Sequence, residues 1–73
     1  MTLDTHQLIL QAVEAHQNGE LQVAETKYRE ILKSDPLHPG ANHNLGVLAM
    51  SVNKPDEAMH LFKIALNSNP KVE

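Results

Sequence analysis

The sequence predicts an all-α chain of four helices, arranged as two antiparallel helix-turn-helix units. Three observations carry that reading. Apolar residues recur with the helical period almost throughout, and no stretch alternates polar and apolar residues as a half-buried strand would. Breaks in the pattern coincide with Gly, Pro and Asn residues that punctuate helices. The whole pattern then returns after 34 residues.

The first helix places Leu8, Ala12 and Ala15 at i, i+4 and i+7. Thr2, Asp4 or Thr5 can cap its start, and Asn18-Gly19 should stop it, since glycine suits the left-handed C-terminal position. The second runs from about residue 20 to 34, with Leu21, Ala24, Tyr28 and Ile31 on one face, and Asp35-Pro36 ends it. Pro39 opens the third, where its missing amide hydrogen costs nothing. Ala41, Leu45, Leu48, Ala49 and Val52 line that helix, which should end near Val52-Asn53. Pro55 opens the fourth, and Asp56 and Glu57 suit the positive end of its dipole. Its apolar face is Ala58, Leu61, Phe62, Ala65 and Leu66, and Asn69-Pro70 should close it. Connections of a few residues make consecutive helices antiparallel neighbours.

Composition narrows the function. A chain of 73 residues is one small domain. It has no Cys, which excludes a disulfide framework, thiolate zinc sites and a cysteine nucleophile. Six Lys and Arg against nine Asp and Glu leave a net charge of −3, which argues against nucleic acid as a partner. No apolar run is long enough to span a membrane. Met1-Thr2-Leu3-Asp4 lacks the basic and apolar segments of a signal peptide, so a cytoplasmic location is expected.

Shifting the sequence by 34 residues superposes Ala24 on Ala58, Tyr28 on Phe62, Leu32 on Leu66, Ser34 on Ser68 and Pro36 on Pro70. Ala12 falls on Gly46, Val13 on Val47 and Ala15 on Ala49. With Leu45-Gly46, Ala58-x3-Phe62, Ala65 and Pro70 in the second copy, and Ala12, Ala24-x3-Tyr28, Ile31 and Pro36 in the first, the chain resembles two tandem tetratricopeptide repeats. The repeats would cover residues 5–38 and 39–72 of a single domain. Leu8 and Asn42 replace the family's Trp, Ala15 and Ala49 its Tyr, and Gln11 its first Leu. The resemblance implies a short right-handed superhelical α-solenoid, part of a longer array at the N-terminus of a larger protein. The run from Asp35 to Gly46 resembles repeats of the O-linked N-acetylglucosamine transferase type. In those repeats an Asn two residues before the Gly bonds the main chain of an extended peptide, and Asn44 holds that position. More loosely, the segment is similar to repeat regions that precede bacterial transferase domains.

The resemblance implies a concave groove lined by the first helix of each pair. Its residues would be Ile9 and Val13 in the first repeat and His43, Asn44, Val47 and Met50 in the second, with His6, His16, Gln17, Gly40 and Ser51 around them. No Lys or Arg lies on these helices, so an extended peptide or an apolar helix fits better than an acidic tail. A purely structural role, with Ile9, Val13 and Val47 packed between neighbouring first helices, stays open.

No catalytic constellation emerges. Glu57-x-x-His60 has the spacing of a di-iron carboxylate motif, yet that site needs a second such pair and two further Glu residues. The other His residues are poorly spaced for a shared metal. Ser34, Ser51 and Ser68 sit at helix ends without a nucleophile elbow, and Gly19, Gly40 and Gly46 form no phosphate loop. Glu25-Arg29 and Glu30 with Lys27 or Lys33 read as solvated helix pairs. The expected function is therefore a non-enzymatic, cofactor-free protein-interaction module that binds a peptide or helix. Alternatives are a substrate-docking region of a larger transferase and a self-associating structural unit. For the last, Leu61 and Ile64 replace Lys27 and Glu30 and predict an exposed apolar face on an uncapped last helix, through which a homodimer could form.

Overall fold

In the computed structural model residues 4–68 are described, and they form four helices: α1 (Thr5–Gln17), α2 (Leu21–Ser34), α3 (Pro39–Ser51) and α4 (Pro55–Ser68). No strand occurs among the described residues. The expected ends of α4 at Asn69-Pro70 and the possible cap Thr2 lie outside them. α1 packs on α2 and α3 on α4, and α3 also lies against both α2 and α1. The second pair thus docks on the first through its leading helix.

The 34-residue period extends to the backbone. α3 and α4 begin and end one period after α1 and α2. Asp4 caps α1 by accepting the Gln7 N–H at 2.8 Å, and the Gln7 side chain reaches back to the Asp4 amide, completing a capping box. One period on, His38 caps α3: its Nδ1 accepts the Ala41 N–H at 3.0 Å. Caps of this kind typically stabilise a helix by about 1 kcal/mol. Past α1 and α3 the chain enters the left-handed region at Gly19 (φ 81°) and Asn53 (φ 63°), again one period apart. Asn tolerates this conformation better than other side chains. Each corner closes with a short bond, Glu20 N–H to the Ala15 carbonyl and Lys54 N–H to the Ala49 carbonyl, both 2.8 Å.

Small residues control the packing. Ala12, Ala24, Ala41 and Ala58 are wholly buried, one on each helix, and Leu8, Tyr28, Ile31, Leu45, Leu48 and Leu61 fill the space around them. Gly46 gives α4 its seat. A Cβ there would stand 2.6 Å from Cε1 of Phe62, so the ring lies directly on the α3 backbone.

The expected exposed face of Leu61 and Ile64 is corrected by these contacts. Leu61 belongs to the buried core. Ile64 is half-buried and shares a shallow recess with Leu37, Asn67 and Ser68. The inference failed because Lys27, the counterpart of Leu61, is itself half-buried. A Lys can lay its stem on apolar surface while its ammonium stays wet, so a charged residue does not mark an outward position. The outward apolar residues of α4 are Met59 and Leu66.

Gly46→Ala is expected to destabilise the domain by about 1–3 kcal/mol, because the added methyl displaces the Phe62 ring. Urea denaturation of the two proteins measures this directly.

Candidate binding surface

α1 and α3 lie side by side, and their junction is built on Ile9 and Gly40. Cδ1 of Ile9 comes within 3.9 Å of where a Gly40 Cβ would be, and Ile9 is half-buried against the core. Ile9 therefore helps join the two helices. Val13 and Asn44 are also half-buried. On α3, His43, Val47 and Met50 are spaced i, i+4 and i+7, forming one exposed ridge. Val47 is 41% and Met50 54% exposed, less than Leu10, Leu37, Met59 and Leu66, so it is their shared face and not their exposure that sets them apart.

His43 also makes contact with α4. Its ring sits 5.6 Å from that of Phe62, tilted by 45°, so it bridges the ridge to the edge of α4. Among the described residues the Asn44 side chain makes no hydrogen bond. Of the six groove residues inferred from sequence, three make the ridge and three sit lower, toward the α1–α3 junction.

Asn42 was legible only as a replacement for Trp. It is 1% exposed, and its side-chain amide donates to the carbonyls of Pro36 at 3.0 Å and His38 at 3.1 Å. It ties the linker between the pairs to the first turn of α3 and so fixes the angle at which the ridge is presented. Its counterpart, Leu8, contributes packing alone, so the repeat comparison hides the polar role.

Arg29 joins the two pairs on the opposite side. Its Nε donates to Glu25 at 2.9 Å, and its Nη2 to Glu57 of α4 at 2.8 Å. The sequence indicated only the first of these bonds. The Glu25 bond raises the Arg29 pKa further, partial burial opposes that, and Glu57 adds to the rise. Burial also pushes the Tyr28 phenol up from 10.0, since a phenolate in the core loses its hydration.

Among the described residues, no group of three or more His, Asp or Glu side chains is arranged to hold a metal ion. No described helix is long and apolar enough to cross a membrane. Comparison with protein-family models, curated proteins and solved structures finds no match.

Asn42→Ala should cost about 1–3 kcal/mol, because the Pro36 carbonyl loses its donor and a small cavity opens; thermal unfolding checks it. The Tyr28 shift has a pH signature. Its folded-state pKa is raised, so its contribution is complete below pH 10.0 and is lost as pH climbs through the folded value. Tyr28→Phe should therefore lose stability less steeply than the native chain above that pH, as chemical denaturation at several alkaline pH values would show.

Proposed function

We propose that this chain is a tetratricopeptide-type unit, two helix pairs stacked with a right-handed superhelical turn, and that it works as a protein-interaction module. The reading rests on the 34-residue recurrence of helix ends, caps and left-handed corners. The observation that carries the function is the exposed His43-Val47-Met50 ridge, set beside an Asn44 amide without an internal partner.

Such a surface suits an extended or helical peptide with one or two aliphatic anchors. Val47 and Met50 supply apolar contact, and methionine adapts its shape to differing partners. Asn44 offers a donor and an acceptor to a peptide main chain. α1 and α3 carry no Lys or Arg, so the ligand is selected by side-chain packing and not by a terminal carboxylate.

A peptide-library screen followed by NMR titration tests this. Bound peptides should shift the resonances of Val47, Met50 and Asn44. Met50→Glu should weaken binding by about tenfold or more, equivalent to roughly 1.4 kcal/mol, with Asn44→Ala weaker in effect. Peptides that bind the Met50→Glu chain as well as the native one, or that shift only distant resonances, refute the assignment.

A further inference from the structure

α3 starts on a cap that titrates. Pro39 has no amide hydrogen, and the Ala41 N–H is satisfied by the His38 ring, whose Nδ1 accepts it at 3.0 Å. The next amide, that of Asn42, bonds the His38 carbonyl at 3.0 Å. Ala41 is wholly buried, so water can replace the ring only if the turn opens. An imidazole accepts at Nδ1 only while that nitrogen has no proton, and the neutral ring therefore carries its proton on Nε2. The ring also has a seat. Its Cε1 lies 3.1 Å from where a Gly40 Cβ would stand, and Cδ1 of Ile9 lies 3.9 Å from the same point. Cap, glycine and the α1–α3 junction thus meet at one side chain.

One period earlier the cap is a carboxylate, Asp4, which accepts the Gln7 N–H at 2.8 Å. Carboxylates stay charged down to about pH 4, whereas imidazoles take up a proton near pH 6.5. The two helix starts therefore answer to different ranges of pH. The charged and titratable groups on the elements around His38 are few. The linker carries Asp35, whose carbonyl accepts the His38 N–H at 3.1 Å, and the last turn of α2 carries Lys33. α1 presents Ile9 and, a turn earlier, the exposed His6. The part of α4 that meets the linker at Leu37 consists of Ile64, Asn67 and Ser68, none of which titrates. Among the described residues no carboxylate forms an ion pair with His38.

We propose that His38 is a pH-sensitive latch on the start of α3, holding the first turn closed while the ring is neutral and releasing it when the ring is protonated. The added proton takes the Nδ1 lone pair that held the Ala41 N–H. It also sets a positive charge against the positive end of the helix. The ring then leaves Gly40, and the contact between the starts of α1 and α3 at Ile9 loosens. The release stays local, because the Asn42 amide still donates to the carbonyls of Pro36 and His38. The contribution of the cap is complete above the imidazole range and is lost as pH falls through it. The latch lies at the start of α3 and not on the ridge, so the inference does not depend on the proposed peptide binding.

NMR of the native chain between about pH 7.5 and about pH 5 tests this. At the upper end the His38 ring should show the Nε2–H tautomer. On acidification the Ala41 amide should shift with the midpoint of the His38 ring. Its exchange protection, corrected for intrinsic pH dependence, should fall about fivefold or more, while that of Gln7 over its carboxylate cap holds. His38→Asn, which caps without titrating, should keep Ala41 protected throughout and reduce the acid drop in melting temperature by roughly 4 °C or more. Asp35→Asn should leave the response in place. An Ala41 amide that ignores pH or follows another histidine overturns the proposal, as does an equal acid loss in His38→Asn. So does loss of the response in Asp35→Asn, which would assign it to an ion pair and not to the cap.

Discussion

Close helix contact across small side chains sets the geometry on which everything else depends. With one fully buried alanine on each helix and Gly46 beneath Phe62, neighbouring backbones meet at short range. Leu, Ile and Tyr side chains then need to fill only the margins, which is how a chain with two aromatic residues assembles a continuous core. A larger residue at any of these positions would push a helix outward and carry the surface ridge with it. On the proposed reading packing and function meet at that level, since the alignment of α3 relative to α1 decides whether Val47, Met50 and Asn44 face a common ligand.

α3 is the centre of this arrangement. It touches all three other helices, and six of its residues are buried, including Asn42. A helix buried on so many sides cannot rely on amphipathicity for its orientation. Directional bonds supply it instead: the His38 cap at its start and the two Asn42 bonds to the preceding linker. On the far side Arg29 spans from α2 to α4, but this pair is half-exposed, so it guides the alignment more than it stabilises it.

Helix positions were readable from sequence because several independent signals agree at each boundary. Pro39 and Pro55 start helices where the periodicity resumes, and the left-handed residues Gly19 and Asn53 follow the ends of α1 and α3. Side-chain roles were less legible wherever a residue type misrepresents its environment. Lys27 looks exposed yet is half-buried, which misdirected the reading of Leu61. Asn42 looks like a lost aromatic yet is a buried polar tie. Val47 and Met50 share a face of α3 in any helix, and both are exposed. His43 lies on that face as well, but its neighbour Phe62 lies 19 residues away, and only the packing of α3 on α4 brings the rings together.

The difference between the two ends of the molecule bears on its behaviour in bulk. Identical contacts that join one end of a subunit to the other end of the next do not close into a ring unless the rotation happens to allow it, and otherwise they propagate as fibres. A stack of helix pairs is exposed to this hazard, since each pair is built to receive another. Gln11 and Glu14 on α1 interrupt the pattern at one end, while Met59 and Leu66 continue it at the other. The two ends therefore differ, polar on α1 and apolar on α4, and pressing one end on the other would bury polar groups without partners, which works against an endless filament.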